Sequence, residues 1–418
     1  MPLVKDSRLH LLLRALLSAV LLSLDSARIG AQQGPACGDP LGPPYQGVTA
    51  FSNDSGVDGD IYEPCAGRGT FGLRYECVEY IRRFYDAPDP ADSSFATATR
   101  KWQRRDAVQF FDDASTLGLA ALTNNVSVLP PMPDDILVFG TTSDNPHGHV
   151  AIITGVAAKS VDVIEQNFSR NGTAHLALNP RNANGSYTIP SRGSYPIRGW
   201  LRPFYDSFDS STIDSTKWFP ATDIHSATAV RGIENGKLRL TSMTATVGDV
   251  ITTAVGFISP STIKGFQATV AVDQIGTGFT DNQVARLIGT FYKSNGLIGG
   301  AGADGDIVAA MRITGNQASG LQASFTMFRC LGQFCAAAPH VFTDVLGSVA
   351  LGSRNMLVLV WDGARFAYGV NTVTRIFDPS GVAPVVSQTP GLQTKVLDTQ
   401  AFFSGLISAT FDDVVVAR

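Results

Sequence analysis

A cysteine, a histidine and two polar residues occur in the order that amide hydrolysis by a thiol requires. Cys77 lies near the start of residues 75–83 (YECVEYIRR), and the positive end of a helix dipole favours the nucleophilic thiolate. His149 begins a later apolar run, and Glu165 and Asn167 end the next one. An imidazole takes the thiol proton in such chemistry, and a third polar group fixes the imidazole tautomer. These residue types predict nucleophilic acyl transfer, and an inert, buried Cys77 is the alternative that the stretch alone leaves open.

A helix and three strands would have to bring these side chains together. Apolar residues recur at helical spacing after Cys77, which predicts a helix with one buried face. Three later apolar runs each predict a strand: 133–140 (PDDILVFG), 148–155 (GHVAIITG) and 160–167 (SVDVIEQN). Because residues two apart on a strand share a face, we expect both Glu165 and Asn167 to point toward the site.

Three segments resemble the CHAP domain, a family of cysteine- and histidine-dependent amidohydrolases and peptidases. They are the run around Cys77, Gly-His-Val-Ala at 148–151 and Glu-Gln-Asn at 165–167. The first and third segments, with Gly-Trp-Leu-Arg-Pro at 199–203, are most similar to the glutathionylspermidine amidase branch. The resemblance covers roughly residues 40–205 and implies an α+β papain-like fold.

The same resemblance implies a role for each residue of the candidate site. Cys77 would be the nucleophile, His149 the base and Glu165 the group that orients the histidine. Asn167 is a second candidate for this orienting shell. Arg82, one and a half turns beyond the cysteine, would face a carboxylate of the substrate, and a solvated arginine on the helix surface is the alternative.

A second histidine, His147, competes with His149 for the role of base. The two would share a strand face, so alternation does not separate them. The context Pro-His-Gly places His147 in the turn before the strand, and the histidine of the family pattern precedes Val-Ala. Both observations favour His149.

The five cysteines of the chain also bear on the site. An even set of cysteines is typical of disulfides in a secreted protein, so one odd thiol would remain as the nucleophile. The expected pairs are Cys37–Cys65 and Cys330–Cys335, although connectivity does not follow from sequence. No Cys/His cluster has the spacing of metal ligands, so we predict no metal site and no cofactor.

The N-terminal pattern and the composition bear on location and partners. Residues 1–31 are typical of a signal peptide, because basic residues precede an apolar run of about ten residues, shorter than the roughly 20 of a membrane-spanning helix. An uncleaved anchor or a disordered tail is the alternative. No later stretch is long and apolar enough to span a bilayer, so we expect a secreted protein without a transmembrane segment. Charged residues make up 16% of the 418 residues, and the net charge is −4 without a basic stripe, which argues against nucleic acid as a partner.

The first candidate domain is assigned to residues 32–205. After it, the pattern of apolar and turn residues along the sequence changes. Residues 206–418 consist of short runs rich in Val, Thr, Ile and Phe between turn residues. This pattern predicts an all-β antiparallel sandwich. Asp362-Gly363 between two of the runs is a hairpin signal.

The ends of the second domain, 207–218 and 411–416, resemble the concanavalin A-like jelly roll of lectins and glucanases. The resemblance implies that the first and last strands pair and that the domain binds a glycan. Three aromatic residues are open to two interpretations, as core or as a ligand platform: Trp218, Trp361 and Tyr368. The carboxylates of Asp209 and Asp412 are open as well, as ligands of a structural calcium ion or as ordinary surface groups.

The sequence as a whole predicts a secreted cysteine amidohydrolase or endopeptidase, with an α+β papain-like amidase domain followed by a jelly-roll sandwich. Amide bonds of peptidoglycan are the expected substrate, and the sandwich would hold the enzyme on a glycan surface. Two alternatives stay open: a secreted amidase of a small peptide conjugate, and a glycan-binding surface protein with an inactive CHAP-like domain. The intact Cys77, His149 and Glu165 count against the inactive domain.

Overall fold

A computed structural model describes residues 34–54, 65–85, 106–179, 182–246, 248–276, 283–294, 303–316, 318, 320–332, 335–386 and 393–418. The expected signal peptide at 1–31 lies outside these residues. The described chain is mostly antiparallel β-sheet with few helices: α1 (Cys77–Phe84), α2 (Gln109–Asp112) and 3-10 turns at Ala114–Leu117, Pro260–Thr262 and Pro379–Gly381. None of the described helices has the length and apolar character needed to cross a membrane.

The described part of the first half contains eight strands, six of which form one antiparallel sheet. Its strands are, in chain order, β1 (Arg68–Gly69), β2 (Gly72–Leu73), β3 (Leu119–Thr123), β4 (Ile136–Phe139), β5 (His149–Ala157), β6 (Ser160–Ile164), β7 (Thr173–Ala177) and β8 (Ile197–Pro203). β1 and β2 form a hairpin just before α1, and the other six form a sheet in the order β3-β8-β4-β5-β6-β7. The three strands predicted for the site are confirmed as β4, β5 and β6.

This six-stranded sheet is buried on both faces, which accounts for the uninterrupted apolar runs in the sequence. Side chains of β4 and β5 alternate between the two faces. Ile136 and Ile152 pack with α1 on one face. Leu137 and Ile153 belong to the cluster on the opposite face, which also contains Val360 from the second half of the chain.

The second half consists of two packed antiparallel sheets. Its strands are β9 (Trp218–Phe219), β10 (Ile224–His225), β11 (Ala229–Glu234), β12 (Lys237–Met243), β13 (Val250–Phe257), β14 (Gly265–Ile275), β15 (Gln283–Lys293), β16 (Asp306–Asn316), β17 (Gly320–Arg329), β18 (His340–Val349), β19 (Asn355–Trp361), β20 (Phe366–Val370), β21 (Val373–Phe377), β22 (Lys395–Phe402) and β23 (Leu406–Ala417). One sheet has the order β10-β11-β12-β23-β14-β19-β20-β21 and the other β18-β17-β16-β15-β22-β13-β9. The predicted antiparallel sandwich is confirmed, and so is the hairpin at Asp362-Gly363, which joins β19 to β20.

The core between these two sheets contains the aromatic residues that were open to two interpretations. Trp218 and Tyr368 are each 1% exposed and Trp361 is 9% exposed, so none of them is a platform for a ligand. Asp412 forms an ion pair with Arg354 at 3.2 Å. Within the described ranges, no group of three or more metal-ligating side chains occurs.

The two halves are joined by backbone hydrogen bonding, by the buried side chain of Arg202 and by a shared apolar cluster. The Tyr205 N–H donates to the Val414 carbonyl of β23 at 2.7 Å. Asp206 forms an isolated β-bridge with Val414 of β23. The expected pairing of the first and last strands is limited to this bridge, because β9 pairs with β13 and β10 with β11. Arg202 on β8 donates to the Asp135 carboxylate at 2.8 and 2.7 Å and to the Val416 carbonyl at 3.1 Å. The six-stranded sheet therefore packs on the eight-stranded sheet of the sandwich. Among the described residues, the outer face of the seven-stranded sheet is not part of this packing.

Candidate active site

Cys77 is positioned by a sharp reversal of the chain before α1. Tyr75 has a left-handed backbone conformation with φ 68°. Glu76 follows in an extended conformation at the N-cap position, and its side chain does not cap the helix. The helix begins at Cys77 and buries Val78 and Ile81 against the sheet, as the apolar spacing predicted.

The thiol lies between α1 and the start of β5. The backbone N–H groups of Val150 and Val78 donate hydrogen bonds to the sulfur, which favours the thiolate. Burial is the larger effect and acts in the opposite direction, and together with the charge of Glu76 it raises the pKa of the Cys77 thiol to about 12. Burial therefore opposes the effect that the helix terminus has on the thiol. A base has to take the thiol proton before the sulfur can attack.

His149 is the first residue of β5 and is held on three sides. Its ring lies 5.1 Å from the Phe139 ring and 4.5 Å from the Phe168 ring, measured between centroids. Nε2 lies 2.9 Å from Oε2 of Glu165, and the side chains of the two residues are 2% and 0% exposed. Because Nε2 is engaged with a carboxylate, Nδ1 is the ring nitrogen left to accept a proton.

Glu165 follows directly after β6 and is clamped by a second partner, Arg192. Nη1 of Arg192 donates to Oε1 at 2.7 Å and to Oε2 at 3.0 Å. Burial alone would raise the pKa of Glu165, but the hydrogen bond and charge of His149, followed by the Arg192 guanidinium, outweigh burial and lower it. The carboxylate is therefore ionised at neutral pH, and it can hold His149 with the proton on Nε2.

Asn167 binds Glu76 rather than the histidine. Its Nδ2 donates to Oε2 of Glu76. The expectation that Glu165 and Asn167 would share a strand face is wrong, because β6 ends at Ile164 and Asn167 has a left-handed conformation with φ 54°. A contribution of Asn167 to catalysis stays a prediction.

Glu76 is a second buried carboxylate beside the nucleophile, with a 9% exposed surface. Burial raises the pKa of Glu76 to about 7, with a smaller contribution in the same direction from Glu79, while hydrogen bonds from Asn167 and Asn53 oppose the rise. The charge of His147 also opposes the rise. Glu76 therefore changes its protonation near neutral pH, whereas Glu165 does not.

Gln166 ties the nucleophile helix to the end of β6. Its Nε2 donates to the Glu76 carbonyl at 3.1 Å and to Oε2 of Glu79 at 2.9 Å. Its Oε1 accepts hydrogen bonds from the Phe51 N–H and from Nη2 of Arg83, both at 2.8 Å. The side chain is completely buried, so these contacts fix the distance between α1 and the strand that carries Glu165.

The contacts described for the two remaining candidates are with groups other than His149 and Glu165. His147 is in the turn before β5, as its sequence context predicted, and its exposed ring bonds Asp106 at 2.7 Å. Arg82 is only 4% exposed and donates to the Phe71 carbonyl at 3.3 Å. Contact between Arg82 and a substrate carboxylate stays a prediction, and the burial of this side chain disfavours it.

Three residues of the site were not predicted from the sequence: Arg192, Glu76 and Gln166. Arg192 lies in a turn between β7 and β8 without any local pattern that indicates a role. Glu76 and Gln166 do adjoin predicted site residues, and this adjacency was the available signal. Their burial, which gives them their effect, depends on how α1 packs against the sheet.

Four of the five cysteines form the two expected disulfides. Cys37 is bonded to Cys65, and Cys330 to Cys335. Cys77 is the remaining free thiol.

Comparison with known proteins identifies the first half. Residues 68–167 match the family model of the CHAP domain, so the chain contains a CHAP domain. Glutathionylspermidine synthase of Crithidia fasciculata is 28% identical over 159 residues, which are 34% of this chain and 21% of that protein. The chain thus spans about a fifth of the length of this curated relative.

The second half is similar to solved structures of carbohydrate-active proteins. A GH16 protein of the Bacteroides ovatus mixed-linkage glucan system matches with a TM-score of 0.32 and 13% identity, over 51% of this chain and 98% of that chain. The carbohydrate binding module CBM66 from Bacillus subtilis matches with a TM-score of 0.29 and 13% identity, over 52% of this chain and 100% of that chain. Identities this low provide no residue set to carry over to the sandwich.

Proposed function

We propose that the protein is a secreted, cysteine-dependent amidase or peptidase that acts through Cys77, His149 and Glu165. The observation that carries the proposal is the fully buried His149–Glu165 pair next to Val150, whose N–H contacts the free thiol. The CHAP domain supports this reaction class and a papain-like placement of a nucleophile helix against a sheet that bears the base. Two disulfides support an oxidising, extracellular location.

The proposed reaction is acyl transfer to water through a thioester. His149 takes the thiol proton at Nδ1 while the sulfur of Cys77 attacks the carbonyl carbon of the amide. The C–N bond then breaks, and the imidazolium returns its proton to the leaving amine. Water, deprotonated by the same imidazole, hydrolyses the thioester, which releases a carboxylic acid and restores the thiol.

Glu165 would stabilise the charged imidazole during both halves of this reaction. An ionised carboxylate on Nε2 favours the imidazolium that forms when Nδ1 accepts the proton. The backbone N–H of Cys77, at the start of α1, is a candidate donor to the oxyanion of the tetrahedral intermediate. Each of these groups lies at the end of a helix or strand, and the His149 and Glu165 side chains are buried, which suits a preorganised site.

Peptidoglycan is the substrate that we propose, at either a muramoyl–alanine bond or a peptide bond of the stem or cross-bridge. A secreted enzyme meets amide bonds in this polymer outside the cytoplasm, which favours it over a cytosolic peptide conjugate. A small secreted peptide conjugate is the alternative substrate class for the same site.

The sandwich would bind a glycan on its seven-stranded sheet. The binding face would be the outer one, which packs neither against the eight-stranded sheet nor against the first half of the chain. A pocket of about 230 Å³ on this face is lined mainly by polar side chains: Arg312, Thr314, Gln322, Ser324 and Thr343. Hydroxyl, amide and guanidinium groups match the hydrogen-bonding groups of a sugar polymer. Cosedimentation of the Cys77→Ala protein with insoluble peptidoglycan tests this binding, because the variant retains the sandwich without degrading the polymer. Absence of the protein from the pellet would count against it.

Release of new amino groups from purified peptidoglycan tests the enzymatic proposal. We expect release by the full-length protein and none by the Cys77→Ala variant, and mass spectrometry of the fragments would identify the bond. Equal release by both proteins, or no release by the folded wild type, would reject peptidoglycan hydrolysis at this site.

The two histidines provide a matched control for the same assay. His149→Ala is expected to abolish release because it removes the base. His147→Ala is expected to leave most of the activity, since His147 is exposed and paired with Asp106. The reverse result would show that the base has been misassigned.

A further inference from the structure

Arg192 contacts the site in two ways at once. Its Nη1 is 2.7 Å and 3.0 Å from the two oxygens of Glu165. Its guanidinium carbon lies 4.2 Å from the centroid of the Phe168 ring, and this ring packs on His149 at 4.5 Å. Arg192 thus holds one neighbour of the histidine through charge and the other through cation–π stacking.

The turn that carries Arg192 is itself anchored. Arg192 and Tyr195 exchange backbone hydrogen bonds at 3.0 and 3.1 Å. The Tyr195 ring packs edge-on against Phe168 at 5.0 Å. The side chain of Arg192 is 21% exposed and that of Glu165 is not exposed at all, so the arginine covers the carboxylate on its solvent side.

We infer that Arg192 is a positioning residue that keeps Glu165 ionised and thereby fixes the His149 tautomer that can accept the thiol proton. The inference rests on the proposed function and assigns a further residue to the same site. It explains how Glu165 can stay ionised without contact with solvent and orient His149 as a carboxylate.

The physical reason lies in the two protonation states of the buried carboxyl group. An ionised Glu165 only accepts hydrogen bonds, so it requires the proton of neutral His149 on Nε2 and leaves the lone pair of Nδ1 free to accept. A protonated Glu165 donates to Nε2 instead, and the imidazole proton then moves to Nδ1, where it blocks transfer from the thiol. A buried carboxylate without a nearby cation favours its protonated form.

The groups that face Glu165 set the sign of the expected pH effect. Among the described residues, these charged or titratable groups are His149 on β5, Arg192 in its turn and Cys77 on α1. Only Arg192 carries a permanent positive charge. Its removal is therefore expected to raise the proton affinity of the coupled Glu165–His149 pair.

Two substitutions of Arg192 and one control define the test. Arg192→Met removes the charge but retains an unbranched side chain. Arg192→Lys retains the charge but lacks the planar guanidinium group, which donates several hydrogen bonds. Arg198→Met is the matched control, because Arg198 also pairs with a carboxylate, Asp112 at 2.7 Å, and stacks on an aromatic ring, Phe111 at 4.8 Å, and these partners are not Glu165 or Phe168.

The first readout is the pH dependence of the reaction of Cys77 with a neutral thiol reagent, alongside kcat/KM for the amide substrate. For Arg192→Met we expect the acid limb of both profiles to move upward by about 1–3 pH units, the size of an arginine's effect on an adjacent carboxyl group. Arg192→Lys should move it less, and Arg198→Met should not move it. Unchanged acid limbs in a folded Arg192→Met protein would overturn the inference.

The second readout is the ¹⁵N NMR spectrum of His149, which reports the tautomer directly. We expect Nε2 to carry the proton in the wild type and the Nδ1-protonated tautomer to appear in Arg192→Met. The same tautomer in both proteins would also overturn the inference. Because neither the thiol reaction nor the spectrum needs amide turnover, failure of the proposed hydrolysis would be distinguishable from failure of this inference.

Discussion

The most direct test of the electrostatics around the nucleophile is Glu76→Gln. The substitution removes a buried negative charge next to Cys77 but keeps an acceptor for the hydrogen bond from Asn167. Since the charge of Glu76 contributes to the raised pKa of the thiol, we expect the thiol of the variant to be more acidic and to react faster above neutral pH.

The magnitude follows from the adjacency of the two residues. Unit charges about 7 Å apart in an effective dielectric constant of about 20 interact by about 2.4 kcal/mol, which is about 1.7 pKa units. The variant would then hold about 50-fold more thiolate. Intrinsic nucleophilicity falls with pKa at a Brønsted slope of about 0.4–0.5, a loss of about sixfold, so the net gain in rate is about eightfold.

The pH dependence of this gain is the distinguishing signature. Because the pKa of Glu76 is about 7, its charge is largely absent in the wild type at acidic pH and present at alkaline pH. The ratio of variant to wild-type rates with an aromatic disulfide reagent should therefore be close to one at about pH 5 and approach about eightfold by about pH 9. Cys77 provides a clean signal in this assay because the other four cysteines form disulfides.

Equal rates at every pH, or a slower variant above neutral pH, would refute the reasoning. Asp112→Asn is the control, since it removes the same charge from an exposed position that pairs with Arg198. This control should leave the ratio near one at all pH values. A rise in the control as well would point to net charge rather than to the position of Glu76.

The remaining predictions concern the base and the stability of the fold. Glu165→Gln is expected to lower kcat/KM by about 100-fold or more, because the charged form of His149 loses its carboxylate; activity near that of wild type would contradict this role. Arg202→Met should destabilise the protein by about 3–5 kcal/mol in urea unfolding, since it leaves buried Asp135 without its cation; a change below 1 kcal/mol, about the value of an exposed pair, would contradict the estimate. Burial lowers the pKa of Lys395 from 10.5 to about 7, so the folded state loses up to about 5 kcal/mol of stability as pH falls from about 10.5 toward 7. Lys395→Met should therefore recover part of this stability below pH 7 in urea unfolding and gain little at about pH 10, since it also loses the hydrogen bonds to Pro260 and Gln393.

Local sequence patterns were sufficient to predict the elements that carry Cys77, His149 and Glu165. Each of these residues lies at or next to the end of a periodic apolar segment, and such segments become α1, β5 and β6. The second half was predictable as an antiparallel sandwich for the same reason, because its strands are short and separated by turn residues. Family resemblance supplied the roles, which composition and periodicity alone do not provide.

The Asn167 prediction illustrates where local reasoning stops. Strand parity placed Asn167 with Glu165, but the strand ends at Ile164, and a left-handed residue redirects the amide toward Glu76. The end of a strand depends on hydrogen bonds to its neighbours, and those neighbours are distant in sequence. Sequence alternation therefore cannot show which of two polar residues after a strand reaches the histidine.

The sequence by itself determined the residue types of the site, their order and the elements that present them, because periodicity and turn chemistry act over a few residues. Only the tertiary structure decided the protonation of those residues. The pKa of Cys77 is raised because the thiol is desolvated beside Glu76, although the residue is partly exposed. Glu165 is ionised because His149 on a neighbouring strand and Arg192, 27 residues further along the chain, both reach it. Charge states depend on burial and on nearby charges, and both are properties of the packed chain rather than of any segment.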